Sequence, residues 1–522
     1  MTRVRRSIQD IQNDYDKGNK KELEDLMRAW KGIKELPPDD PNSFFVIGGY
    51  HGEPFRGAGW GSSAYWGGYC NHGNILFPTW HRAYLVRLED ALRSIPGCAD
   101  VSLPFWDECS AESLAKGIPS ALTQKSFVLD GKTIDNPLRS FVFTRAIVDH
   151  LSPFPDADYG KPRGYETVRY PLSGLVGPAD IEATKAHNAK FPDYDANVQL
   201  LNDNIVAWLN TTIAIKGTPV GGHVHDRYVA CLNAPNYTVF SNTTSAAAWF
   251  DDTNVRVVPV ESPHNAIHLA VGGFDLPAPN PDFSPIAGAN GDMGENDTAG
   301  LDPIFFFHHC FVDRVFWLWQ KKHGFTDHLE IIPEYPGTNS VDNQGPTPGV
   351  APNSWLTLQS PLDPFRKKEG GKERAYSSLD CINIETQLGY TYGPGSLETP
   401  QALAAARADG KTVSVRGIDR GNIRGSFLIS AFAILDGKRQ HVGTEAILSR
   451  WHVEGCANCQ THLEARAAIS LHALGARAET IEKDQIEVEI RTHDGRLGHP
   501  AGMAPLAQTA RGKRPLYRIE IK

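Results

Sequence analysis

Cysteine is scarce in this chain, with 8 in 522 residues at irregular spacing, which argues against the disulfide framework of small secreted domains. Positive charge is short as well. There are 52 Lys and Arg against 61 Asp and Glu, with no dense basic run, so neither a nucleic-acid partner nor an anionic membrane surface is expected. Nowhere do about 18 uncharged apolar residues run together, the least that a membrane-spanning helix needs. The first twenty residues, MTRVRRSIQDIQNDYDKGNK, lack the apolar stretch that follows the basic start of a secretory signal. These absences predict a soluble, cytoplasmic protein with reduced thiols, leaving export by another route and homo-oligomer formation open. Hydrophobic residues at 41% and charged residues at 22% are ordinary globular usage and exclude a disordered or collagen-like chain. The length predicts two or three packed units.

Apolar residues near helical spacing over 7–34 predict one or two entry helices, ended by the prolines at 37 and 38. A helix from Thr79 to Arg93 carries His81 in its first turn, and a second, apolar on most faces, runs from Ile304 to Lys321. The Pro, Gly, Asn and Asp-rich stretches 152–200 and 275–300 read as loops wrapped over that helical core. After about residue 395 the texture changes. A short helical stretch from Gln401 to Ala408 gives way to period-two segments such as TVSVR, SFLISAF, QIEVEI and LYRIEI, which predict strands. The boundary is drawn at 395, with the loop 333–353 as the alternative.

Histidine is what the chain has in excess, 19 residues beside the 8 cysteines. His51 comes first. In CNHGNILFPTWHRAYL (70–85), PTW starts a helix at His81 and the preceding turn brings His72 back beside it. SPHNAIH (262–268) places His264 and His268 at i and i+4, on one face of a helix. DPIFFFHHCFVD (302–313) adds the adjacent pair His308 and His309, only one of which is expected to point inward. A lone buried histidine is ordinarily a satisfied polar core residue. Two groups of three, each with a tight pair, are not explained by packing, because buried imidazoles without partners are costly. An all-nitrogen donor set suits copper or zinc, and three ligands leave an open position for chemistry or gas binding.

These segments resemble both copper-binding signatures of tyrosinases, type 3 copper proteins that also include catechol oxidases and haemocyanins. The first stands at His72 to Leu85; the second stands as Asp302, Pro303, Phe305, His309 and Asp313, a register that selects His309 over His308. The resemblance implies two copper ions, one bound by His51, His72 and His81 and the other by His264, His268 and His309. It covers roughly 1–395 and extends to Tyr390–Tyr392, similar to the tyrosine motif that closes the family's catalytic domain, with Arg5 or Arg6 as its cation–π partner. The implied fold is mainly α: a four-helix-bundle dicopper catalytic domain with long loops over 1–395, and a β-rich C-terminal domain over 396–522.

The implied activity is oxidation of small phenols with O2 as co-substrate: ortho-hydroxylation of monophenols and oxidation of diphenols to o-quinones. Glu261 and Asn265 resemble the family's holders of a water that accepts the phenol proton; the alternative for Glu261 is a helix-start carboxylate favoured by the helix dipole. Cys70, two residues before His72, resembles cysteines joined to that histidine by a thioether, the alternative being a small buried hydrophobe. Phe305 is expected against the ligand rings. Asp313 is expected either to orient an imidazole or to pair with Arg82 or Arg314. Cys456 and Cys459 form a CxxC between His452 and His462, which resembles a copper-delivery pair in C-terminal domains that also cover the site. His223 and His225 read as a solvated HxH loop. A catechol or o-aminophenol oxidase, or a haemocyanin-like O2 carrier, shares every ligand.

Overall fold

A computed structural model describes residues 2–54, 68–149, 159–178, 180–210, 213–215, 218–220, 222–276, 289–343, 347–398, 410–450, 464–493, 495–498, 506–509, 512–515 and 517–522. The expected helix over 401–408 and the CxxC of Cys456 and Cys459, with His452 and His462, lie outside them.

The helices are, in chain order, α1 (Ile8–Asp16), α2 (Lys21–Glu35), α3 (Phe44–Gly49), α4 (Phe77–Ser94), α5 (Ala111–Lys116) and α6 (Ile181–Asn188). There follow α7 (Tyr194–Leu209), α8 (Val224–Cys231), α9 (Tyr237–Ser241), α10 (Thr243–Thr253), α11 (Glu261–Gly272) and α12 (Ile304–His323). Their ends follow local chemistry. Pro78 sits in the first turn of α4, where its missing N–H costs nothing. At the start of α12, Asp302 Oδ1 accepts from Ile304 N; at its end Gly324 takes the left-handed conformation after a basic last turn of Lys321, Lys322 and His323.

Helix α4 packs on α2 and α12, and α11 packs on α12, α7 and α8. Both α11 and the first five turns of α12 are buried along their whole circumference, which is why neither shows a strong apolar stripe. Three sequence expectations fail here. The stretch 152–200 carries α6 and the first two turns of α7, because Asp193 caps α7 and its apolar residues, Val198 to Leu209, follow the prolines. The described part of 275–300 is not wrapped over the core: residues 289–300 form a fully buried segment with two 3-10 turns. His225 likewise lies in the first turn of α8, not in a loop.

Strand Arg3–Arg5 pairs in parallel with Tyr390–Tyr392, closing the helical part. Residues up to Glu398 stay with that part: Ser396 N donates to Asp107 and Arg314 pairs with Glu398. Beyond, strands Glu464–Ser470, Thr412–Asp419 and Arg518–Ile521 form one sheet, and Lys438–Ile447, Phe427–Leu435, Ile486–Thr492 and Gly495–Gly498 form another. Their facing sides make a separate core that includes Val413, Val415, Ile429, Ala431, Val488 and Ile490. Alternation sends Leu428 and Ala446 the other way, into the helical core.

Candidate metal centre

Each helix or turn delivers its imidazoles by a separate local device. His51 follows the C-terminus of α3, and His72 lies in a turn whose backbone N–H is held by Asn343 Oδ1 at 2.9 Å. His81 sits in the second turn of α4 and donates Nδ1–H to Phe77 O at 2.8 Å. The three rings lie 5.3 to 5.7 Å apart, centroid to centroid. On α11, the i and i+4 spacing brings the rings of His264 and His268 to 4.5 Å. His309 on α12 completes a second triad, its Nε2 lying 3.2 Å from the Nε2 of both His264 and His268. The two triads abut, His81 stacking on His309 at 4.5 Å. Phe305 lies 3.9 Å from the His309 ring, as expected from the sequence.

The adjacent histidine does not point away. His308 is fully buried, stacks on His264 at 5.3 Å, and offers a ring nitrogen within 4.8 Å of those of His264, His268 and His309. What separates it from His309 is its partner: Nδ1 is 2.6 Å from Glu108, whose other oxygen accepts from Tyr228 OH at 2.8 Å. Glu108 has no recognisable sequence signal. Its carboxyl is pushed well above the usual range by burial.

A metal fits these residues. The six imidazoles of the two triads are at most 3% exposed. His51, His72 and His81 have no hydrogen-bond partner at Nε2 among the described residues. Four rings have the opposite nitrogen engaged: His51 with Asn296 O at 3.0 Å, His81 with Phe77 O, His264 with Asn265 Oδ1 at 2.9 Å and His268 with Met293 O at 2.8 Å. Such partners fix the tautomer and aim the Nε2 lone pair at a metal. The 3.2 Å spacing of the second triad is that of nitrogens sharing one ion at about 2.0 Å each. Burial, with neighbouring imidazoles adding to it, holds the rings neutral, pushing His81 down to about 3. Neutral imidazole is the form that ligates.

Around the triads several expectations resolve. Glu261 is the first residue of α11, and its carboxylate is engaged by protein: Oε1 accepts from Gly73 N at 2.8 Å, Oε2 from Thr243 N and Oγ1 at 2.8 and 2.9 Å. It ties the His72 turn to α11 and α10. Asp313 does not orient an imidazole. It takes Arg82 Nε and the hydroxyls of Tyr390 and Tyr392, each at 2.6 Å, the ion-pair alternative. Arg5, not Arg6, lies 3.6 Å over Tyr390, while Arg6 pairs with Asp14 and Glu22. Cys70 is buried and accepts from Arg450 Nη2 at 3.1 Å. Arg450 comes from the β-rich part, which also reaches the start of α11 where Ser262 Oγ donates to Glu445 at 2.7 Å.

Comparison with known proteins agrees with this architecture. The family described as the common central domain of tyrosinase matches residues 41–322. A tyrosinase of Hahella sp. (strain CCB-MM4) is 53% identical over 517 residues, 95% of this chain and 93% of that one. A tyrosinase of Aspergillus oryzae is 47% identical over 528 residues, 95% and 94% of the two chains. The solved structure of a tyrosinase from Burkholderia thailandensis at low pH superposes with a TM-score of 0.81 at 54% identity, covering 94% of each chain. With its two abutting histidine triads and likeness over nearly its whole length, the chain belongs to the tyrosinase family.

Proposed function

We propose that this chain is a copper-dependent phenol oxidase that ortho-hydroxylates monophenols of the tyrosine kind and oxidises diphenols to o-quinones, with O2 as co-substrate. The observation that carries it is the pair of buried triads with converging ring nitrogens, four of the six rings having the far nitrogen tied back. His51, His72 and His81 would hold one copper ion and His264, His268 and His309 the other. Two bound copper ions supply the one-electron exchanges that O2 reduction requires. The protein keeps each imidazole neutral and aimed, excludes bulk water, and handles the phenol proton.

That last task falls to Glu261 and Asn265 in the reading with hydroxylation. Asn265 Oδ1 is engaged by His264, and Glu261 retains acceptor capacity on Oε1, which takes a single N–H. A diphenol oxidase without hydroxylation is favoured by a different observation, the three protein donors already on the Glu261 carboxylate. Glu261→Gln separates the two. Loss of monophenol hydroxylation by about 10²-fold, with diphenol oxidation within about twofold, is expected for a proton-handling role; equal losses in both would make Glu261 a strut only. The assay offers tyrosine and a catechol to the copper-loaded chain and follows quinone absorbance.

The buried Cys70 beside the His72 turn supports a thioether between these residues. Its formation removes the thiol hydrogen and a ring hydrogen in a two-electron oxidation for which O2 is the oxidant. A tryptic peptide spanning both, from protein loaded with copper in air, is expected to weigh less by two hydrogens; the unshifted mass would leave Cys70 a packing residue that accepts from Arg450. We further propose that the β-rich part covers the site and that Cys456 and Cys459 deliver copper. Contacts of Arg450 and Glu445 beside Cys70 and α11 support the cover.

A further inference from the structure

One short segment, Asn290 to Thr298, supplies an acceptor to each triad: Asn296 O to His51 and Met293 O to His268. It is wedged against the elements that carry those histidines with no room for side chains. A Cβ on Gly52 would lie 2.3 Å from Asp297 O, one on Gly272 2.2 Å from Gly294 N, and one on Gly294 2.6 Å from Gly272 O. The segment also rests on buried charges that the chemistry above does not use. Lys161, 1% exposed, lies 3.4 Å from Asp292 Oδ1 and 3.9 Å from Glu295 Oε2, and donates to Gly174 O. Tyr165 OH and Val168 N donate to Asp292 Oδ2 at 2.6 and 2.8 Å; Tyr159 OH and Asn290 Nδ2 donate to Glu295 at 2.6 and 3.2 Å. An ammonium between two buried carboxylates is a poor source of stability, since desolvation offsets most of the attraction. Its effect is geometric: it holds both carboxylates, and with them the segment, against strand Tyr159–Lys161.

We propose that Lys161, acting through Asp292 and Glu295, is a positioning residue that fixes this segment so that its two carbonyls set the ring orientation in both triads together. This rests on the dicopper reading. A shift of the segment moves the acceptors of His51 and His268 at once, so loss of Lys161 perturbs both metals and their mutual alignment.

The test titrates copper(II) into metal-free full-length wild type, Lys161→Met, Lys161→Arg and Tyr165→Phe, reading bound copper per chain, dissociation constants and the electron paramagnetic resonance signal. Two closely coupled copper(II) ions give no signal, whereas misaligned ions do. Lys161→Met is expected to weaken copper binding about tenfold and to make the bound copper visible, with silence restored by Lys161→Arg. Wild-type affinity and continued silence in Lys161→Met, whatever its loss of thermal stability, would overturn the proposal. Should Lys161→Met fail to fold, Tyr165→Phe is expected to weaken binding about threefold, and no change in either readout overturns it equally. Wild type that never holds a silent copper pair is the separate outcome that removes the dicopper reading itself.

Discussion

His309→Ala is expected to leave one copper per chain and to lower quinone formation by about 10³-fold or more, while His308→Phe retains both ions and stays within about tenfold of wild type. The contrast is sharp because the residues are neighbours on α12 and both are fully enclosed. His309 Nε2 converges with those of His264 and His268 at 3.2 Å, whereas His308 is held back by Glu108 at 2.6 Å and stacks on the His264 ring. Phenylalanine keeps that stack and leaves Glu108 its Tyr228 partner. Copper per chain after desalting, with the rate of catechol oxidation, decides it. Loss of one ion from His308→Phe would transfer the ligand role to His308.

Separating the β-rich part from the helical part of the copper-loaded chain is expected to raise phenol oxidation by about tenfold to 10²-fold, the gain when a site open in a few per cent of molecules becomes open in all. A specific protease site inserted after Glu398 allows the cut after loading, so that metal delivery and cover are not confused. The contacts between the described residues of the two parts include four ion pairs: Arg491 with Asp275 at 2.7 Å, Arg227 with Glu445 at 3.5 Å, Arg424 with Asp180 at 3.3 Å and Arg466 with Asp251 at 3.1 Å. The apolar share includes Leu428, Ala446 and Leu448. Interfaces between the domains of one chain resemble those of transient protein–protein complexes. A cut chain no more active than the intact one would leave the β-rich part a fixed support.

Helix α4 was readable from its apolar spacing and the proline of PTW, and α12 from its nearly unbroken apolar run, all local signals, and period two announced the C-terminal strands. The helices within 152–200 were missed because the many prolines and glycines around them outweighed the short apolar run of α7. The buried course of 289–300 was missed for a different reason. Its polar side chains read as a surface loop, yet their partners Lys161, Tyr159 and Tyr165 are distant in sequence.

By itself the sequence determined which imidazoles come in groups and at what spacing, since i and i+4 on a helix and a turn before a helix are geometry that a chain carries locally. It also determined the strand character of the C-terminal part. Only the tertiary structure decided which nitrogen of His51, His268 and His81 is tied back, because the acceptors at Asn296, Met293 and Phe77 are backbone carbonyls with no side-chain signature. It likewise decided that Asp313 binds Arg82 and the tyrosine pair, that Glu108 claims His308, and that Arg450 meets Cys70, 380 residues away. Those are choices among partners brought together by packing, and a buried polar group takes the partner that packing places within reach.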